Sequence, residues 1–149
     1  MLGPFYVTNQ SRRYQAWGQP CKIPWATTTL QGKNYRVHRD VVAPFTVLEK
    51  IREKHGYVAT GTDTGFYNCR HQRHDPSRPW SEHAWATALD WNWLQNPAGS
   101  KLVTDMPTPM IRELQALKTN SGAFVFQWGG DWDRDFRSDD HTYVCLLYT

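Results

Sequence analysis

The run Ser81-Glu82-His83-Ala84-Trp85-Ala86-Thr87-Ala88-Leu89-Asp90 places an imidazole and a carboxylate seven residues apart. His and Asp are common hydrogen-bonded partners inside proteins, and that is the ordinary use of such a pair. Strict alternation along a strand would put them on opposite faces, so His83 and Asp90 meet only if the chain bends between them. A second polar group stands near the end of the chain, where five aspartates fall between Asp131 and Asp140 and Ser138-Asp139-Asp140 leads into His141. Arg70 shares a basic loop with Arg73 and Arg78, and the usual place of such arginines is the surface. His71 and His74 stand three apart in the same Pro-bounded loop, which gives neither of them rigid support, so they read as loop histidines. His38 has no partner pattern, and His55 sits where a helix C-terminus favours positive charge.

Elements must carry these residues. Pro44 suits a first helical turn, Phe45, Leu48, Ile51 and Arg52 recur at three-to-four spacing, and Gly56 is a stop, so the pattern predicts a helix from Pro44 to His55. Tyr57 to Thr60 and Phe66 to Cys69 read as short strands around a turn, followed by a polar loop from Arg70 to Pro79. Ala86 to Trp93 reads as a buried strand ended by Asn96-Pro97-Ala98-Gly99. A second helix starts near Pro107 with Met110, Ile111, Leu114 and Leu117 on one face, and Asn120-Ser121-Gly122 terminates it. Ala123 to Trp128 and Thr142 to Tyr148 are the last strands. The first 40 residues, with turn signals at Gly3-Pro4, Gly18-Gln19-Pro20 and Gly32-Lys33-Asn34, read as irregular chain or short strands. Helices and strands in this order, with connections too short for repeated parallel crossovers, point to an α+β fold with a small, mainly antiparallel sheet.

A chain of 149 residues with 40% apolar and 14% aromatic composition has the size and composition of one globular domain, spanning 1–149. No run approaches the roughly 18 apolar residues of a membrane span, and Met1 to Arg13 lacks the apolar core of a signal peptide. The net charge of +3 is uneven, because residues 1–40 carry six Lys/Arg against one acid. Around Trp85, Trp91, Trp93, Trp128 and Trp132 acids are the commoner charge, so these aromatics read as core and cleft wall, and no nucleic-acid partner is expected. Cys21, Cys69 and Cys145 form no C-x-x-C pair, which removes zinc fingers and thioredoxin-like chemistry, and their odd count argues against a full disulfide framework.

The segment from Ser81 to Asp90 resembles S-x-H-x-x-G-x-A-x-D, a signature of zinc peptidases that include D-alanyl-D-alanine carboxypeptidases and phage L-alanyl-D-glutamate endopeptidases. That family ends in an apolar strand, W-G-G-[DE]-[WY], a short loop and an acidic step into a final His. Phe124 to Trp132, containing Trp128-Gly129-Gly130-Asp131-Trp132, and then Ser138 to Tyr143 look similar and fall in the same order. Tyr67-Asn68-Cys69-Arg70 looks like the segment that supplies the family's substrate-polarising arginine. The resemblance covers about residues 41–149 as a catalytic core and leaves the basic segment 1–40 unassigned.

The resemblance implies a fold like that of the hedgehog and DD-peptidase group, with the sheet flanked by helices. It implies one Zn²⁺ on His83, Asp90 and His141, with the fourth tetrahedral position open. Asp139 or Asp140 would be the general base, because the family's usual acid position is Ser138 here; Arg70 would stabilise the oxyanion. Ser81 and Trp128 would support the site and its substrate. Ala86 stands where the family has Gly, a costly change if that position needs φ > 0. The implied activity is zinc-dependent hydrolysis of a peptidoglycan stem peptide, most like L-Ala–D-Glu cleavage by a phage endolysin. Alternatives are a D-alanyl-D-alanine carboxypeptidase and a non-catalytic wall-binding or metal-binding relative. The expected partner is the stem peptide and the expected state a monomer, made without a signal peptide in the host cytoplasm and released to the wall through a phage holin.

Overall fold

The computed structural model describes residues 13–59, 64–96, 103–120, 122–128 and, for the backbone alone, 145–148. After a helical turn at 13–17, β1 (Trp25–Leu30) and β2 (Lys33–His38) pair antiparallel, with Leu30 opposite Lys33. The connecting Gln31 and Gly32 both take positive φ, 52° and 75°, the two-residue turn whose twist matches that of the strands. Thr28, Leu30 and Val37 turn inward while Thr27, Thr29 and Arg36 stay exposed, which buries one face of the ribbon.

Helix α1 (Val42–His55) begins two residues before the predicted start and ends at Gly56, whose left-handed backbone (φ 64°) lets its N–H close onto the carbonyls of Arg52 and Glu53. Its buried residues are Phe45, Leu48, Ile51 and Arg52, the periodic set. Arg52 is buried because Glu49 accepts from its Nε and Nη2 at 2.7 Å each, and the Tyr57 carbonyl from its Nη1 at 2.8 Å. Helix α2 (Thr108–Ala116) buries Met110, Ile111 and Leu114 and packs against α1. Phe45 joins the layers, its ring 4.9 Å from Phe66 and 5.6 Å from Phe126.

β3 (Ala88–Asp90), β4 (Phe126–Trp128) and β5 (Cys145–Tyr148) make a second antiparallel sheet in the order β3-β5-β4. The protein is therefore α+β with antiparallel sheets. Several elements differ from expectation. Ala86 to Trp93 is a strand only over Ala88–Asp90, because Glu82–Trp85 winds into a 3-10 turn and Ala86 and Asn92 take φ of 55° and 52° on either side. Residues 57–59 and 66–69 are not strands; instead Gly65 exchanges two hydrogen bonds with Asp90, at 2.9 and 2.8 Å. Residues 123–125 precede β4 without joining it, and Thr60 and 142–144 lie outside the described residues. Of the tryptophans expected in the core and cleft wall, Trp85 and Trp91 are fully buried, whereas Trp93 is exposed. Among the described residues no helix is long and apolar enough to cross a membrane.

Within the amino-terminal 40 residues the structure supplies what periodicity did not: the β1–β2 hairpin and a disulfide from Cys21 to Cys69, with Cα atoms 5.4 Å apart. The odd cysteine is Cys145, at the start of β5.

Candidate functional site

Ser81 begins the turn that carries His83. Its Oγ accepts from the His83 backbone N–H at 3.3 Å, capping Glu82–Trp85, and its own N–H donates to the Arg70 carbonyl at 3.0 Å. One residue pair further on, the Asn68 N–H donates to the His83 carbonyl at 3.1 Å. These two bonds lay residues 68–70 alongside 81–83 and so bring Arg70 next to the His83 turn, although Arg70 and His83 are thirteen positions apart. Arg70 is half-buried, and its Nη1 donates to the His71 carbonyl at 3.4 Å. The loop beyond it is closed by pairing of His71 with Trp80, whose rings stack 3.8 Å apart, and it holds Arg73 and His74 at φ of 55° and 57°.

The bend between His83 and Asp90 is supplied by Ala86. Its left-handed backbone turns the chain, its N–H donates to the His83 carbonyl at 3.1 Å, and its carbonyl accepts from His38 N–H at 3.2 Å. As a result His83 Nε2 and Asp90 Oδ1 stand 3.1 Å apart, with both side chains largely buried. His83 Nδ1 lies 3.0 Å from the Phe66 carbonyl, so in the neutral ring the proton sits on Nδ1 and Nε2 turns its lone pair toward Asp90. Asp90 Oδ1 is buried without a hydrogen-bond partner among the described residues. Two electron-rich atoms facing each other at this distance require a proton or a cation between them.

A zinc ion satisfies that requirement. Imidazole and carboxylate suit it, the backbone carbonyl on Nδ1 is the usual outer support of a metal-binding His, and two ligands of a tetrahedral zinc at about 2.0–2.1 Å stand roughly 3.3 Å from each other. The residues present fit the group. No third His, Cys, Asp or Glu joins the pair among the described residues. His141, Asp139, Asp140 and Ser138 lie outside them. Trp128, in β4, is buried, and its Nε1 has no hydrogen-bond partner among the described residues.

Behind Asp90 the chain is held by side chains. Asn92 and Asn96 are buried, and Asn96 Nδ2 donates to the carbonyls of Trp91 (3.3 Å) and Asn92 (3.0 Å) and to Asp105 Oδ1 (3.0 Å). Asn92 Nδ2 donates to Asp105 Oδ2 and to the Tyr57 hydroxyl, each at 3.1 Å, and that hydroxyl donates to Asp105 Oδ1 at 2.7 Å. Burial pushes the Tyr57 hydroxyl well above the usual phenol range, so it stays a donor. Burial likewise pushes Glu82 up to about 7, against the opposing pull of the Arg13 guanidinium with which it pairs.

The sequence pattern of the family described as D-alanyl-D-alanine carboxypeptidase matches residues 74–142. The match spans just under half of the chain and contains Ser81, His83, Asp90, Trp128, Asp139, Asp140 and His141, while Arg70 precedes it. No curated protein and no solved structure matches the chain.

Sequence reasoning missed the Phe66 carbonyl on His83, the Arg13–Glu82 pair and the disulfide. None carries a local signal, since each joins residues at least 17 apart. The left-handed bend did have a signal, the family's Gly at the position of Ala86.

Proposed function

We propose that the protein is a zinc-dependent peptidase acting on the stem peptide of bacterial peptidoglycan, and that it cleaves the L-Ala–D-Glu bond as the catalytic domain of a phage endolysin. The observation that carries the peptidase reading is the buried Asp90 Oδ1 facing His83 Nε2 inside the stretch matched by the carboxypeptidase family. His141 is the third ligand in this reading. Register supports it: Asp90 pairs with Cys145, and His141 is only four positions before Cys145, at most about 14 Å of chain.

Zinc held by His83, Asp90 and His141 supplies Lewis acidity and lowers the pKa of a water molecule toward about 7. Asp139, or Asp140 beside it, takes the proton from the attacking water and passes it to the departing amine. Ser138 cannot do this unaided. Arg70 donates from its planar, permanently charged guanidinium to the scissile carbonyl oxygen as negative charge develops there. Ser81 keeps the His83 turn wound, and the Phe66 carbonyl keeps the His83 proton on Nδ1. The buried Trp128 is assigned to the wall of the same site.

The test is mass spectrometry of purified peptidoglycan digested by the protein as prepared, after chelation, and after zinc is restored. New D-Glu or D-isoglutamine amino termini that vanish with chelator and return with zinc are expected. Free D-Ala in place of those termini establishes the carboxypeptidase reading, which the description of the matching family favours. Zinc binding with no product in any lane overturns both in favour of a non-catalytic relative.

A further inference from the structure

The amino-terminal segment, which the family match does not reach, converges on the two segments that carry the candidate site. Arg13 pairs with Glu82, the residue before His83, and both side chains are about nine-tenths buried, at 10% and 11% exposure. Tyr14 packs edge-to-face on Trp85 with centroids 5.7 Å apart, and Trp85 Nε1 donates to the Gly18 carbonyl at 2.9 Å. The Cys21 N–H donates to the Ala84 carbonyl at 2.7 Å, and Cys21 is bonded to Cys69, the neighbour of Arg70. Residues 13–21 thus touch three of the four residues of the His83 turn, Glu82, Ala84 and Trp85, and are covalently joined to the segment of Arg70.

A four-residue 3-10 turn ending in a non-glycine residue at positive φ is a poor structure by itself, with strained hydrogen bonds and a left-handed penalty of about 1–2 kcal/mol. Such a turn keeps its shape only when neighbours over-determine it. We propose that residues 13–21 are the clamp that sets the geometry of the site: Arg13 positions His83 through Glu82, and the Cys21–Cys69 disulfide positions Arg70. The inference rests on the zinc-peptidase reading and adds that the segment outside the family match is part of the machinery. Removing Arg13 takes from the buried Glu82 carboxyl the side chain it pairs with, and a buried polar group left without its partner is displaced toward water or toward new partners. Glu82 moving takes the adjacent His83 with it. Opening the disulfide, in contrast, leaves the four non-covalent contacts on the turn in place and frees only the Arg70 side.

The two halves of the clamp therefore have separable signatures. Arg13→Gln is expected to weaken zinc binding by roughly 10- to 100-fold, the range for outer supports of metal ligands, read by competition with a chromophoric chelator on the folded protein. Arg13→Lys, which keeps the charge, recovers most of the loss. Should Arg13→Gln fail to fold, the double variant Arg13→Gln/Glu82→Gln replaces both members of the buried pair and is expected to fold with a zinc affinity clearly below that of Arg13→Lys. Cys21→Ser/Cys69→Ser is expected to leave zinc affinity within about twofold of the parent and to lower kcat by on the order of tenfold or more with KM little changed, as for a displaced catalytic group. In that background Arg70→Ala costs less than in the parent. Unaltered zinc affinity in a folded Arg13→Gln, or equal losses of affinity in both variants, overturns the clamp. A parent protein that binds no zinc overturns the peptidase reading and the clamp together, so the two failures are distinct.

Discussion

Residues 25–56 and residues 64–96 are of similar length and opposite construction. The first is a hairpin with every residue of both strands in register, followed by a fourteen-residue helix, and its backbone groups are satisfied by ladder and helix bonds. The second has three residues of strand, two short 3-10 turns and four non-glycine residues at positive φ, namely Arg73, His74, Ala86 and Asn92. There the backbone is satisfied by isolated turn and loop bonds, with side chains added: Ser81 on His83, Thr64 on Asn92 and Asn96 on two carbonyls. Arg70, Ser81, His83 and Asp90 of the candidate site all lie on the second construction. Irregular backbone can bring an imidazole and a carboxylate seven residues apart into contact, which a regular strand cannot, and each unusual dihedral makes the segment depend on its neighbours.

The comparison predicts that activity and stability separate between the regions. The largest effect is expected from Arg70→Ala, which should lower kcat about 10²- to 10³-fold with little change in the denaturation midpoint. Leu48→Ala, in the fully buried face of α1, should do the reverse, costing about 3 kcal/mol in denaturant titrations while kcat under native conditions is kept. If both properties fall together in either variant, the two constructions are not independent. Asn96→Ala removes the side chain that bonds two backbone carbonyls and Asp105 and should cost about 2 kcal/mol, with a loss of activity that Leu48→Ala does not show. Ala86→Gly should raise stability by about 0.5–1 kcal/mol, because relief of the left-handed penalty exceeds the added entropy of the unfolded chain. A loss of stability there would mean that the bend carries no strain.

The smallest effect concerns pH. Burial holds the His38 imidazole below its usual pKa, against the opposing Asp40 carboxylate. On acidification the unfolded chain therefore takes up this proton first. The resulting contribution is complete above about pH 6.5 and is lost as pH falls from there toward the lower folded value. Thermal midpoints should drop over that range, and His38→Gln should show a shallower drop.

Legibility in the sequence followed the same division. Helix α1 and its buried residues Phe45, Leu48, Ile51 and Arg52 could be read from spacing, as could Met110, Ile111 and Leu114 of α2, because period and capping are local; Leu117, expected on the same face, lies past the end of α2 at Ala116 in extended backbone. The β1–β2 hairpin was not placed, since Gln31-Gly32 is a weaker turn signal than Asn-Gly. Around the site, spacing alone argued against a meeting of His83 and Asp90; only the family motif suggested it. The 3-10 turn and the left-handed Ala86 that make the meeting possible are fixed by partners as distant as Arg13 and Cys21, which no local window contains. Asp139 and Asp140 rest on the motif alone, and His141 on the motif and the register of β3 with β5.

The bond between Cys21 and Cys69 also closes the chain into a covalent ring that contains the hairpin and α1. A protease that makes one cut inside this ring opens it without releasing a fragment, and the nicked protein migrates as a single species until a reductant is added. A cut in the loop between Arg70 and Trp80 lies outside the ring and frees a carboxy-terminal piece under denaturing conditions with or without reductant. Comparing reduced and unreduced digests thus tells which of the two constructions gives way first.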